Sequence, residues 1–200
     1  MNRLAGVIMA LVVLALPSLA LASTWTIDPV HSNIQFKIRH LMISNVKGVF
    51  GKVQGVINLD DKDITKSNLT VTIDTASIST GVGKRDEDLR SANFFDVAKF
   101  PTMTFVSKKV MKSAMGKLKV IGDLTIRGIA REVVLDVEEF SNEIKDPWGG
   151  IRRGTSADTK INRSDFGMTW NKPMESGGVM IGNDVFITLE VEMVKDQTKK

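Results

Sequence analysis

Run after run of this chain alternates apolar and polar residues with a period of two, and few folds accommodate that pattern. Ile34, Phe36 and Ile38 alternate with Asn33, Gln35, Lys37 and Arg39, and Leu69, Val71 and Ile73 with Thr70, Thr72 and Asp74. Leu118, Val120, Gly122, Leu124 and Ile126 share one face, opposite Lys117, Lys119, Asp123, Thr125 and Arg127. Val185, Ile187, Leu189, Val191 and Met193 alternate with Thr188, Glu190 and Glu192. Successive side chains on a strand point to opposite faces, so each run has a dry face and a wet one. The stretch 49–59 reads the same way, with Val49, Val53, Ile57 and Leu59 on one face and Gly51 and Gly55 between them. Weaker runs at 102–110, 132–140 and 150–161 bring the total to about eight strands. Parallel strands would be apolar on both faces and joined by crossover helices, so the pairing is antiparallel and the architecture a sandwich or a barrel.

Two stretches depart from the pattern. Residues 83–91 carry acids early and a charged face, and read as a short surface helix that ends before Pro101. Residues 164–182 hold Asn171, Pro173 and the Gly177-Gly178 pair, and read as a long loop of the kind that forms lids.

The first residues predict export. Arg3 supplies a basic start, residues 4–21 carry no charge, and Ala20-Leu21-Ala22 has the small-residue spacing of a cleavage site. Cleavage after Ala22 leaves 178 of the 200 residues, the size of one domain, in the periplasm or outside the cell. The uncharged stretch is also long enough for an uncleaved anchor, against which Gly6, Pro17 and the small-residue exit argue. No later apolar run reaches membrane length, and the absence of cysteine excludes disulfides, thiolate metal sites and a lipidated N-terminal cysteine. After Arg3 is lost, 26 Lys and Arg face 23 Asp and Glu with no long run of one sign. There is no Tyr and aromatics make up 6%, so nucleic acid is excluded as a partner.

Catalytic constellations are scarce. His31 and His40 are the only histidines, and nine residues apart on an extended strand they cannot share a metal without a turn between them. Asp28, His31 and Ser32 are too close along the chain to form a hydrolytic triad, and His31 reads as a turn residue bonded to its neighbours. Gly48, Gly51 and Gly55 precede no helix and so cradle no phosphate; in strands they mark a barrel corner or clear interior volume.

Longer blocks are more specific. Asp28-Pro29-Val30-His31-Ser32-Asn33-Ile34-Gln35-Phe36-Lys37-Ile38-Arg39-His40 and Val46-Lys47-Gly48-Val49-Phe50-Gly51 closely resemble the YceI family. So does the spaced pattern running from Arg85 through Leu89-Arg90-Ser91, Phe94-Phe95-Asp96 and Phe100-Pro101 to Met103 and Phe105. Gly122-Asp123-Leu124-Thr125-Ile126-Arg127-Gly128 and Ile161-Asn162-Arg163-Ser164-Asp165-Phe166-Gly167 extend the match over nearly all of the mature chain, in the same order. The resemblance implies an all-β, antiparallel eight-stranded lipocalin-like barrel, with one short surface helix and a long loop, enclosing a pocket for a polyisoprenoid or similar amphiphile. It also implies a homodimer without catalysis or cofactor. The family often has His before the Leu-Arg-Ser step, where this chain has Asp88, which puts a head-group contact there in doubt.

The expected activity is to hold an isoprenoid quinone, polyprenyl phosphate or fatty-acid derivative for transport or storage, and a transient membrane contact fits that cargo. Phe36, Ile38, Val49, Val53, Phe105, Leu124 and Phe166 are the candidates for the apolar lining. His40, Arg85, Arg90 and Arg163 are those for a polar entrance, where guanidinium pairs with phosphate. Gly51, Gly55 and Gly122 on dry faces favour interior space. The competing readings are a periplasmic interaction or stress-response module with a packed barrel and, behind it, a hydrolase.

Overall fold

The alternating runs pair in sequence order. The computed structural model describes residues 22–175 and 177–197; the expected signal segment up to Leu21 lies outside them. The strands are β1 (Ala22–Ile27), β2 (Asn33–His40), β3 (Ser44–Phe50), β4 (Val53–Asp60), β5 (Asn68–Asp74) and β6 (Ile78–Ser79). After the helix α1 (Gly83–Arg90) come β7 (Thr102–Lys112), β8 (Leu118–Ile126), β9 (Ile129–Val137), β10 (Ile144–Lys145), β11 (Ile151–Asn162) and β12 (Ile181–Lys195). β1 continues into β2, β3 into β4 and β5 into β6, each past one break, and β10 is a short arm on β11. The result is eight barrel strands in up-and-down order, closed where β12 pairs with β1, β2 and β11.

The three breaks lie side by side and form a corner of the barrel. Pro29 has no N–H for a ladder, and the Asp28 carboxylate accepts from the Val30 amide to turn the chain between β1 and β2. Gly51 and Lys52 separate β3 from β4, and a 3-10 turn over Thr75–Ser77, capped by Asp74, separates β5 from β6. Gly51 N–H bonds Ser77 O and Asp74 N–H bonds Lys52 O, which ties the breaks together. Gly51 therefore marks the corner that glycine in such a strand pattern suggests.

The break also corrects a phase. β3 turns Phe50 inward, 5% exposed, so its inward residues are even-numbered, whereas β4 buries Val53, Ile57 and Leu59. Val49 stands on the outer face at 38% exposure; reading 49–59 as one unbroken strand put it on the wrong side. An irregular residue at a corner flips every side chain beyond it.

Because the order is up-and-down, the connections sort to two ends. The turn 41–43, the α1 segment 80–101, the turn 127–128 and the loop 163–180 share one end, and residues 61–67, 113–117 and 138–150 the other. The hairpin between β8 and β9 is a two-residue turn, with Arg127 and Gly128 at φ 52° and 72°, the left-handed pair that matches strand twist. The wall at the end opposite α1 is tightly packed around Trp25. Trp25 and Met193 are fully buried there, with the Arg153 guanidinium and the Lys195 ammonium 6.0 and 5.3 Å from the Trp25 ring centre.

Candidate functional site

Inside the barrel runs a cavity of about 370 Å³, bounded almost wholly by apolar side chains and reaching from Ile64 and Phe140 at one end to the α1 end. Every barrel strand contributes to it: Ile34, Phe36 and Ile38 from β2, Ile57 from β4, Ile73 from β5, Met103 and Phe105 from β7, Leu124 from β8, Leu135 from β9, Ile161 from β11 and Ile187 from β12. An eight-stranded barrel is just wide enough to fill itself or to hold one ligand. At the α1 end the cavity meets Arg39, His40, Arg85, Asp88 and Met180, and is roofed by Leu89, Phe94, Phe95 and Trp170. Phe95 packs edge-on against Phe50 with ring centres 5.5 Å apart, and Phe94 lies 5.5 Å from Trp170, so the two segments forming the roof touch.

Of the predicted lining, Phe36, Ile38, Val53, Phe105 and Leu124 face the cavity. Val49 does not, for the reason given above. Phe166 does not line it either: it is 1% exposed, in a 3-10 turn over Arg163–Phe166 that borders a separate cleft between β9 and β11. Those strands pair only at Ala157–Val137 and Asp158–Asp136, and Phe166 fills part of the space where the ladder is missing. Met103, Phe94 and Phe95 line the cavity but were not among the candidates. Met103 was legible as the residue sharing a face with Phe105, whereas the two phenylalanines lie on a loop without periodicity.

Gly55 and Gly122, and Gly48 with them, do not create empty space, whereas Gly51 lies open at the corner. Phe36 is directly opposite Gly48, and its ring occupies the volume a Cβ there would take. The Phe105 ring does the same at Gly122, and Ile27 Cδ1 at Gly55. Glycine admits these large side chains, and the cavity lies beyond them.

All four predicted entrance residues belong to the α1 end, but they do different things. His40 and Arg85 border the cavity. Arg85 bonds Thr80 through Nε to Oγ1 (2.7 Å) and Nη2 to O (3.1 Å), which leaves Nη1 uncommitted among these bonds. Arg90 does not border the cavity; it donates to Ala76 O and Ile78 O and fastens α1 to the β5–β6 strand. Arg163 touches the cavity wall at 3% exposure, yet its guanidinium is bound to Gly182 O (2.9 Å), Met168 O (2.7 Å) and Trp170 O (2.9 Å). Burial lowers its pKa, no acid pairs with it among the described residues, and its primary work is to brace the long loop.

A second charged cluster lies at the β1–β2 break. Arg152 bonds Asp28 (2.6 Å), Asp146 (2.7 Å) and Glu192 (2.5 Å), and His31 Nδ1 lies 2.9 Å from Asp28 Oδ2. Asp28, His31 and Glu192 are close enough together to suggest a metal site, but the Arg152 guanidinium already neutralises the carboxylates and would repel a cation. Hydrogen bonds from His31 and then Arg152 hold the Asp28 carboxyl well below the usual carboxylate range. The cluster locks the N-terminal strand to β11 and β12, and His31 is the neighbour-bonded turn residue its sequence suggests.

Comparison with known proteins agrees with this geometry. Residues 25–193 match the family model described as YceI-like domain. A UPF0312 protein of Staphylococcus aureus strain MSSA476 is 40% identical over 164 residues, 82% of this chain and 92% of the relative. A UPF0312 protein of Vibrio cholerae strain M66-2 is 38% identical over 158 residues, 78% and 83% respectively. Among solved structures, the Campylobacter jejuni YCEI protein superposes with a TM-score of 0.67 at 37% identity, covering 80% of this chain and 91% of its own. At the level of fold alone, Burkholderia cenocepacia BcnA gives 0.72 at 21% identity over 83% and 98% of the two chains. A polyisoprenoid binding domain from Saccharophagus degradans, implicated in plant cell wall breakdown, gives 0.61 at 15% over 86% and 98%. Sequence blocks, closed eight-stranded barrel and relatives together make this chain a member of the YceI-like domain family.

Proposed function

We propose that the barrel is a non-enzymatic binding protein holding one long apolar molecule, an isoprenoid or similar amphiphile, with its polar head at the α1 end. The continuous apolar cavity carries this reading: a barrel meant only to be packed would be filled by its inward side chains. Burying apolar chain is worth about 0.8 kcal/mol per methylene, whereas a charged head must stay where it can be paired, near His40 and the free Nη1 of Arg85. The polyisoprenoid binding domain of Saccharophagus degradans, whose fold this chain shares, supports the same class of ligand. The signal-like pattern of residues 1–22 supports a periplasmic or secreted address for this activity, and among the described residues no helix is long and apolar enough to cross a membrane.

Native mass spectrometry of protein purified from its own periplasm tests the reading directly. The expected result is a mature chain beginning at Ser23 with one lipid-sized adduct; an adduct-free protein that takes up no added isoprenoid leaves the packed-barrel interaction module.

A further inference from the structure

We propose that the α1 end docks on an anionic lipid bilayer through an apolar arc of Met42, Ile43, Val82 and Val179, an inference that rests on the reading of the cavity as a lipid site. Ile43 is 78% exposed, Val82 48%, and Met42 and Val179 39% each. The fold brings them to one rim. Leu41 N–H bonds Met180 O, joining the 41–43 turn to the long loop, and β6 lies beside β3 with Val82 three residues beyond its last pairing, Ser79 to Val49. The arc adjoins the cavity end bounded by Arg39, His40, Arg85, Asp88 and Met180.

The backbone beneath the arc points to a role for these side chains. Leu41 and Met42 have φ of 50° and 60°, left-handed geometry that Asn and Gly adopt easily in a tight hairpin and large apolar residues do not. Such strain is characteristic of functional sites. Here it presents a methionine and an isoleucine to the outside, where water offers them no stabilisation.

Charge and area select the partner. Next to the arc lie Arg39, Lys47, Lys84, Arg85 and Lys172, and over residues 39–47, 80–101, 127–128 and 163–182 as a whole nine Lys and Arg face six Asp and Glu. Of the acids on α1, Asp86 is buried on Thr80, whereas Glu87 and Asp88 are exposed and Asp88 borders the cavity. Four partly exposed aliphatic side chains fall well short of the about 800 Å² that each partner buries in a standard protein interface. A few inserted apolar groups bordered by cations are what reversible attachment to an anionic bilayer requires. The opposite end has its own exposed apolar residues, Trp148 at 86% and Ile144 at 60%, but they lie on the β10 arm and its turn and do not border the cavity.

Cosedimentation with vesicles of equal phosphatidylglycerol and phosphatidylcholine decides between the ends. The unmodified protein should sediment with the vesicles, Ile43→Ser/Val82→Ser should reduce the bound fraction at least tenfold, and Trp148→Ser should leave it unchanged. The proposal is overturned if the double variant still binds, if Trp148→Ser is the change that releases the protein, or if the unmodified protein never binds. It is overturned equally if light scattering shows the double substitution splitting a dimer while vesicle binding persists, since the arc would then join two copies. Geranylgeraniol delivered from ethanol separates this test from the cavity reading: equal uptake by both proteins leaves sedimentation to judge docking, and no uptake by vesicle-bound protein removes the cavity reading alone.

Discussion

The Phe105 ring of β7 lies over the bare face of Gly122 on β8, diagonal to it across the ladder, in the volume where any other residue would place its Cβ. Both sides of the contact face the barrel interior, so glycine on one strand allows an aromatic on the next.

That relationship predicts a cost for the smallest possible change. A Cβ at Gly122 would stand 2.5 Å from both Phe105 Cζ and the Val106 carbonyl oxygen. Gly122→Ala should therefore lower stability by about 1–3 kcal/mol, as overpacking does, measured as the midpoint of urea unfolding. Replacing Phe105 as well should not fully restore it, because the backbone oxygen remains in the way.

Val53 offers a cleaner probe of the cavity, since it borders the lumen on β4 opposite Ile73. Val53→Trp should reduce bound isoprenoid at least tenfold in native mass spectra while far-ultraviolet circular dichroism stays β-like, because the added ring enters free volume. A stability loss of about 1–3 kcal/mol with unchanged lipid content would mean that the lumen is packed.

Arg163 should behave as a brace. Arg163→Ala strands the carbonyls of Met168, Trp170 and Gly182 and should cost at least about 1–3 kcal/mol in thermal or urea unfolding. Lysine should not rescue it, having one ammonium where the guanidinium fork reaches three oxygens. Binding of a polyprenyl phosphate and of an uncharged quinone should fall alike, whereas a loss confined to the phosphate would make Arg163 a head-group contact.

The charged cluster predicts an acid limb. Asp28 has a folded pKa below its unfolded value near 4, chiefly through His31 and Arg152, and Asp146 is lowered chiefly by Arg152. Groups with depressed folded pKa values stabilise the fold fully above the unfolded value, and that contribution is lost as pH falls toward the folded one. The urea midpoint should thus vary little on this account above about pH 5 and decline below about pH 4. Asp28→Asn should lower the plateau and flatten that decline; an unchanged slope would assign acid sensitivity elsewhere.

The chain's own pattern determined the eight strands, their antiparallel pairing and most of the wall, because a period of two states which face each residue takes as long as the strand is unbroken. It also placed α1 and a corner at Gly51. It could not keep phase through that corner, so Val49 was assigned to the lumen and Phe50 passed over. Tertiary structure alone decided that Phe166 fills a gap in the β9–β11 ladder, that Phe36 and Phe105 occupy the space beside Gly48 and Gly122, and that Arg90 and Arg163 bind carbonyls. Each of these depends on what lies across a strand pair or beneath a loop. Long-range pairing sets those neighbours, and local alternation carries no record of them.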